Sequence, residues 1–202
     1  WKPPQEEFEP LFDFVRRHRD LFDAAEPIEQ VGVVFTQDYK PLKRVVAGLV
    51  EGNLSFGFAP AGDNLLRSRL KGDETDRFEM ILIPEPIRLI DGQDKIVARW
   101  KTEGRAIAVG PDDDVMAKLA GHLKGGPLVA LDGRQEVWLF PRKIPGKDGS
   151  SIACHLVAAN FDPKSNKSAP QSNVAVRLSN KLFGVSKPKR AHYYRIGQPP
   201  RK

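Results

Sequence analysis

The chain has a single cysteine, Cys154, among its 202 residues. That excludes an internal disulfide and any metal site built from several thiolates. Long apolar runs are missing too, and none approaches the roughly 18 residues needed to span a bilayer, so no membrane partner is assigned. The opening residues do not read as a basic–apolar–small leader. The chain starts at Trp1 rather than Met, which reads as a fragment or processed product of something longer; localisation is left open. Acidic residues are absent from 163–202, which carry ten Lys or Arg. The first 162 residues hold 22 basic against 26 acidic groups, a balance of −4, so the net charge of +6 belongs to the end of the chain. A basic tail of this kind binds nucleic acid or an anionic surface, or docks on an acidic partner. Val174, Val176, Leu178, Leu182 and Phe183 within it read as folded chain, which argues against nucleic acid as the partner.

What is present is an ordinary globular composition, 40% hydrophobic and 29% charged, with a switch of pattern near residue 127. Before it, apolar strand-like runs alternate with amphipathic helical stretches. Helices are expected over 6–23, over a segment through Leu42, Val45, Val46, Leu49 and Val50, and over 93–103 and 112–123, with one or two helical turns over 65–70. Strands are expected at 31–36, 54–59, 78–84 and 105–110. Alternation of this kind implies parallel strands with right-handed crossovers, hence a doubly wound layer of about four strands. After Gly125-Gly126 only strand-like runs remain, at 136–144, 151–161, 173–178 and 192–196. The expected organisation is an α/β domain over 1–126 and a small antiparallel β-sandwich over 127–202.

In an open α/β sheet, ligands sit beyond the carboxyl ends of the strands, so those loops are where chemistry is sought. Thr36-Gln-Asp-Tyr-Lys40 has no glycine and cannot form a phosphate cradle of the dinucleotide or P-loop type; Asp38 and Tyr39 are its candidate ligand contacts. Pro60-Ala-Gly-Asp-Asn64 reads as a turn and helix cap. Glu85, between Pro84 and Pro86, is held at a strand end and is the best single acidic candidate, but it has no second carboxylate or histidine near it in sequence for acid–base work. Gly110-Pro-Asp-Asp-Asp114 offers no Ser or Cys for a nucleophile elbow. Its aspartates lack the spacing of a calcium loop and suit a helix N-terminus. The histidines at 18, 122, 155 and 192 fall on four elements without metal-ligand spacing. Cys154 is expected to be a buried structural thiol, with His155 on the opposite strand face. Trp100 matches a core face; Trp138 is divided between core packing and stacking on a sugar or base. No catalytic residue, metal or cofactor is assigned.

Three stretches carry a resemblance. Phe14-Val-Arg-Arg-His-Arg-Asp-Leu-Phe22 followed by Val31-Gly-Val-Val-Phe-Thr36 resembles the helix and first strand that follow the catalytic barrel in certain glycoside hydrolases. The middle region resembles their flavodoxin-type, class I glutamine-amidotransferase-like domain, as in the β-galactosidase trimerisation domain. His155-Leu-Val-Ala-Ala-Asn160-Phe-Asp162 with Asn173-Val-Ala-Val-Arg-Leu178 resembles a terminal β-sandwich, although Ala158 and Ala159 loosen that match. There is no barrel with paired carboxylates, and the amidotransferase Cys–His–Glu set is missing from the expected elbow. The resemblance implies a non-catalytic accessory region of a glycoside hydrolase-like protein that supports a catalytic barrel or oligomerisation. Its implied partners are an upstream catalytic domain or a sister protomer, with carbohydrate as a further candidate. The alternative is a small-molecule or carbohydrate-binding α/β domain acting on its own.

Overall fold

The computed structural model describes residues 5–23, 25–132, 136–146, 151–162, 164–165, 167–168, 173–183, 191–192 and 194. Helix α1 covers Gln5–Arg17 and the two-residue strand β1 covers Glu26–Pro27. A regular alternation follows: β2 Val31–Phe35, α2 Tyr39–Glu51, β3 Phe56–Pro60, α3 Gly72–Thr75, β4 Met80–Pro84, α4 Gln93–Thr102, β5 Ala106–Val109 and α5 Val115–Ala120. The later chain forms β6 Val129–Leu131, β7 Val137–Ile144, β8 Ser151–Ala158, β9 Phe161–Asp162, β10 Lys167–Ser168 and β11 Val176–Leu178.

Strands β2 to β5 make one parallel sheet in the order β3-β2-β4-β5. Its central strands are buried on both faces, which is why Val31-Gly-Val-Val and Met80-Ile-Leu-Ile-Pro84 are continuously apolar rather than alternating. On one face Val31, Val33, Met80 and Leu82 meet Val45 and Leu49 of α2 and Val115 and Leu119 of α5. On the other, Val34, Ile81 and Ile83 meet Val97 and Trp100 of α4 and Phe78. Two glycines permit this packing. A Cβ on Gly32 would lie 2.4 Å from the Phe78 ring, and one on Gly48 would lie 2.9 Å from Val115, where α2 crosses α5.

The expected helical turns over 65–70 do not form. The Asp63 carboxylate accepts from the amides of Leu65 and Leu66 at 2.7 and 2.9 Å, and the Arg69 guanidinium donates to the carbonyls of Leu66 and Ser68. Side chains thus satisfy backbone groups that a helix would have paired, and the short α3 starts only at Gly72.

The later strands are antiparallel but fall into separate sheets: β1-β7-β8, β10-β9 and β11-β6. The strand expected over 173–178 is confined to Val176–Leu178, and β6 answers it from a segment not read as a strand. Of the run 192–196, His192 and Tyr194 belong to no strand and the rest lies outside the described residues.

Early and late segments are stitched together. Pro27 pairs with Arg142, and the Ile28 amide donates to the Pro141 carbonyl at 3.1 Å. The Asn53 side chain accepts from the Leu139 amide at 2.8 Å. The main tie is Gln30, only 3% exposed. Its amide nitrogen donates to Glu79 and to the Gly126 carbonyl, and its oxygen accepts from the Leu128 amide, at 2.9, 3.1 and 2.9 Å. Glu79 in turn accepts from the Lys124 amide at 2.6 Å.

Candidate functional site at the carboxyl edge of the parallel sheet

The four parallel strands end at Phe35, Pro60, Pro84 and Val109. Chain connections leave the neighbouring strands β2 and β4 in opposite directions, β2 toward β3 and β4 toward β5. That is the geometry that opens a crevice in doubly wound sheets. Asp38 and Tyr39 stand on one side of it, at the start of α2. Glu85 stands on the other and turns toward α4. The structure therefore places the three candidates on one edge but on opposite faces of the sheet.

Four aspartates along this edge, at 38, 63, 113 and 114, hold their own loops. Asp38 caps α2, accepting from the Lys40 amide at 3.3 Å, while the neighbouring Tyr39 is 64% exposed. Asp114 caps α5 by accepting from the Ala117 amide at 3.0 Å. Asp113 takes the Lys118 ammonium at 2.6 Å and the Gly110 amide at 2.5 Å; these two donors, Lys118 foremost, hold its pKa below the ordinary aspartate value. Asp63 is lowered likewise, first by the Leu66 amide. Glu85 pairs with Lys101 at 3.3 Å, and its peptide bond to Pro86 is cis.

Two residues that the sequence did not single out occupy the crevice walls. Arg44 reaches from α2 to the end of β5, donating to the Val109 carbonyl at 3.3 Å, and that carbonyl also accepts from the Glu85 amide. Gln93, 2% exposed, fills the opposite face: its nitrogen donates to the carbonyls of Ala61 and Ile90 at 2.9 and 3.0 Å, and its oxygen accepts from the Leu70 amide at 2.7 Å. The only available signal was a polar residue on a face otherwise apolar, and surface helices carry many such residues.

The remaining candidates lie elsewhere. Cys154 is half-buried rather than fully buried, because β8 is an edge strand; burial still raises its thiol pKa. His155 points to the other face, against the Phe22 ring at 4.8 Å, and burial lowers its pKa. His18 is half-buried between Phe14 and Tyr194, at 4.8 and 4.7 Å. His122 is exposed. Trp100 is fully buried, whereas Trp138 is 40% exposed beside Phe140 and Val157 at 46% and 45%. Among the described residues no three His, Cys, Asp or Glu side chains could hold a metal ion, and no helix is long and apolar enough to cross a membrane. No family model, curated protein or solved structure matches the chain.

Proposed function

We propose that this region is a non-catalytic accessory part of a glycoside hydrolase-like protein, with a flavodoxin-like layer serving as scaffold for a catalytic barrel or a sister protomer. The observation that carries the non-catalytic reading is the use made of the carboxylates at the strand ends. Asp38, Asp63, Asp113 and Asp114 are taken up by backbone amides, and Glu85 by Lys101. A general acid or nucleophile needs a partner group facing a common reacting atom, and here the acids diverge onto two faces. The strand order β3-β2-β4-β5, with helices on both sides, supports the flavodoxin-like description. The glycosidase context rests on the sequence resemblance alone.

The reading is tested in two arms. In the first, the chain is incubated with a panel of aryl glycosides and screened by thermal shift against nucleotides, flavins and oligosaccharides. The expected result is no turnover and no shift with nucleotide or flavin. Turnover that Glu85→Gln abolishes would overturn the reading. In the second, the parent reading frame is inspected for an upstream (β/α)-barrel carrying two carboxylates; an open reading frame coding for no catalytic domain would overturn the glycosidase context.

A further inference from the structure

We propose that the free edge of β3 is a self-association surface, on which a second copy of this chain adds its own β3 antiparallel about a two-fold axis passing at Phe58. The inference builds on the accessory reading and names the partner for it.

Among the described residues β3 pairs with β2 alone, so its outer row of backbone N–H and C=O groups faces outward. Proteins ordinarily guard such an edge with lysines, inward-pointing charges or bulges. This one is guarded only by its shortness, five residues, and by Pro60 at its end. From Leu54 to Ala61 the sequence Leu-Ser-Phe-Gly-Phe-Ala-Pro-Ala contains no charge, and its single proline comes at the end of the strand. Phe58 stands 46% exposed on it, its ring fixed edge-on to Phe35 and Phe56 at 5.4 and 5.6 Å. Beside the strand runs a cleft of about 260 Å³, walled by Leu70, Lys71, Glu74 and Arg77. An uncharged edge next to a ready-made cleft is a template for strand addition.

Charge and size favour a second copy as the occupant. The rim is balanced within one chain, Lys71 against Glu74 at 2.9 Å and Arg77 against Glu29 at 3.0 Å. An identical rim therefore meets it without net repulsion, as a self-complementary two-fold interface requires. On the α3 side of the sheet the strand carries only Gly57 and Ala59, both buried, with the Glu29 carboxylate lying over Gly57. On the other side Phe58 would meet its own counterpart, a favourable cross-strand pair.

The experiment measures the mass of the full chain by sedimentation velocity over a hundredfold range of concentration. The expected result is a dimer that dissociates on dilution, with Phe58→Lys raising the dissociation constant at least tenfold because two like charges then face each other at the axis. Circular dichroism of Phe58→Lys checks that it is folded. In a Cys154→Ser background, Phe58→Cys should form an intermolecular disulfide on mild oxidation, whereas Tyr39→Cys, more exposed but away from the edge, should not. A wild-type chain that stays monomeric, or a dimer indifferent to Phe58→Lys and uncrosslinked through position 58, would overturn the pairing. Either result leaves the accessory reading standing, since turnover and ligand binding decide that.

Discussion

Gln93→Leu tests whether the crevice walls are structural. The substitution keeps the volume and removes three hydrogen bonds from a side chain that is 2% exposed. Ile90 is half-buried and its carbonyl can turn to water, but Ala61 and Leu70 are buried and their backbone groups cannot. Stranding a buried donor or acceptor costs about 1–3 kcal/mol each, and two such groups give roughly 2–6 kcal/mol. The leucine returns about 1 kcal/mol through added apolar burial, leaving a net loss of about 1–5 kcal/mol. In a domain of this size that lowers Tm by roughly 2–20 °C. Urea unfolding with hydrogen exchange read at the Leu70 amide is the assay. A loss under about 1 kcal/mol, or an unchanged Leu70 protection factor, would show that Gln93 does not pin the loop after β3 and that the crevice could open. Gln93→Glu sharpens the test. A carboxylate there would face the carbonyls of Ala61 and Ile90, so its folded-state pKa would lie above that of the unfolded chain. Its variant would then be least stable at neutral pH and would regain stability on acidification, as protons bind the folded state more tightly.

Gly32→Ala should destabilise by about 1–3 kcal/mol, because the added methyl meets the Phe78 ring in a packed interior; Phe78→Leu in the same chain should recover part of the loss in a thermal melt. Gln30→Leu should expose the 124–128 segment to proteolysis before the parallel sheet unfolds, since it cuts the bonds to Gly126 and Leu128; cleavage there at the wild-type rate would count against the stitch. His155 is half-buried against Phe22 and its pKa is lowered from the ordinary value by that burial, so the unfolded chain binds protons more readily. Stability should therefore fall as the pH drops below about 6.5, and His155→Phe should flatten that part of the curve. Asp63, Asp113 and Asp162 are also held low, Asp162 chiefly by Ser165. Their contribution is present at neutral pH and is lost on acidification below about pH 4, so the triple Asn variant should lose its acid-unfolding slope there.

The parallel layer was legible because its signals are local and redundant. Continuous apolar runs mark the buried strands, helical spacing marks α2 and α4, and the acidic run ending at Asp114 marks the start of α5. Trp100 could be placed inside from its helical phase. The segment from 63 to 70 was misread because Leu65, Leu66 and Leu70 have helical spacing, while the Asp63 turn that defeats the helix depends on one carboxylate. Leu65 is in fact 78% exposed. The late strands were located roughly, but their partition into sheets depends on partners far away in sequence: β1 with β7, and β6 with β11. Strand order carries no local signature at all.

The same distinction explains what the strand ends can and cannot do. Sequence reading finds an acidic residue in a crest loop and leaves two roles open, ligand contact or cap. Geometry separates them, because a carboxylate that accepts from two amides of its own loop, as Asp63 does through Oδ1, cannot turn to a substrate without dismantling that loop. Glu85 is bound by a side chain rather than by backbone, and its partner Lys101 is 41% exposed. Exposed pairs of this kind contribute about 0–1 kcal/mol, so a ligand cation or hydroxyl could displace Lys101 at little cost. If this edge ever binds a small molecule, Glu85 is the acid to engage it. Lys101→Ala should then strengthen that binding for a cation without weakening the fold, whereas the same change under the purely structural reading would leave every ligand titration unmoved.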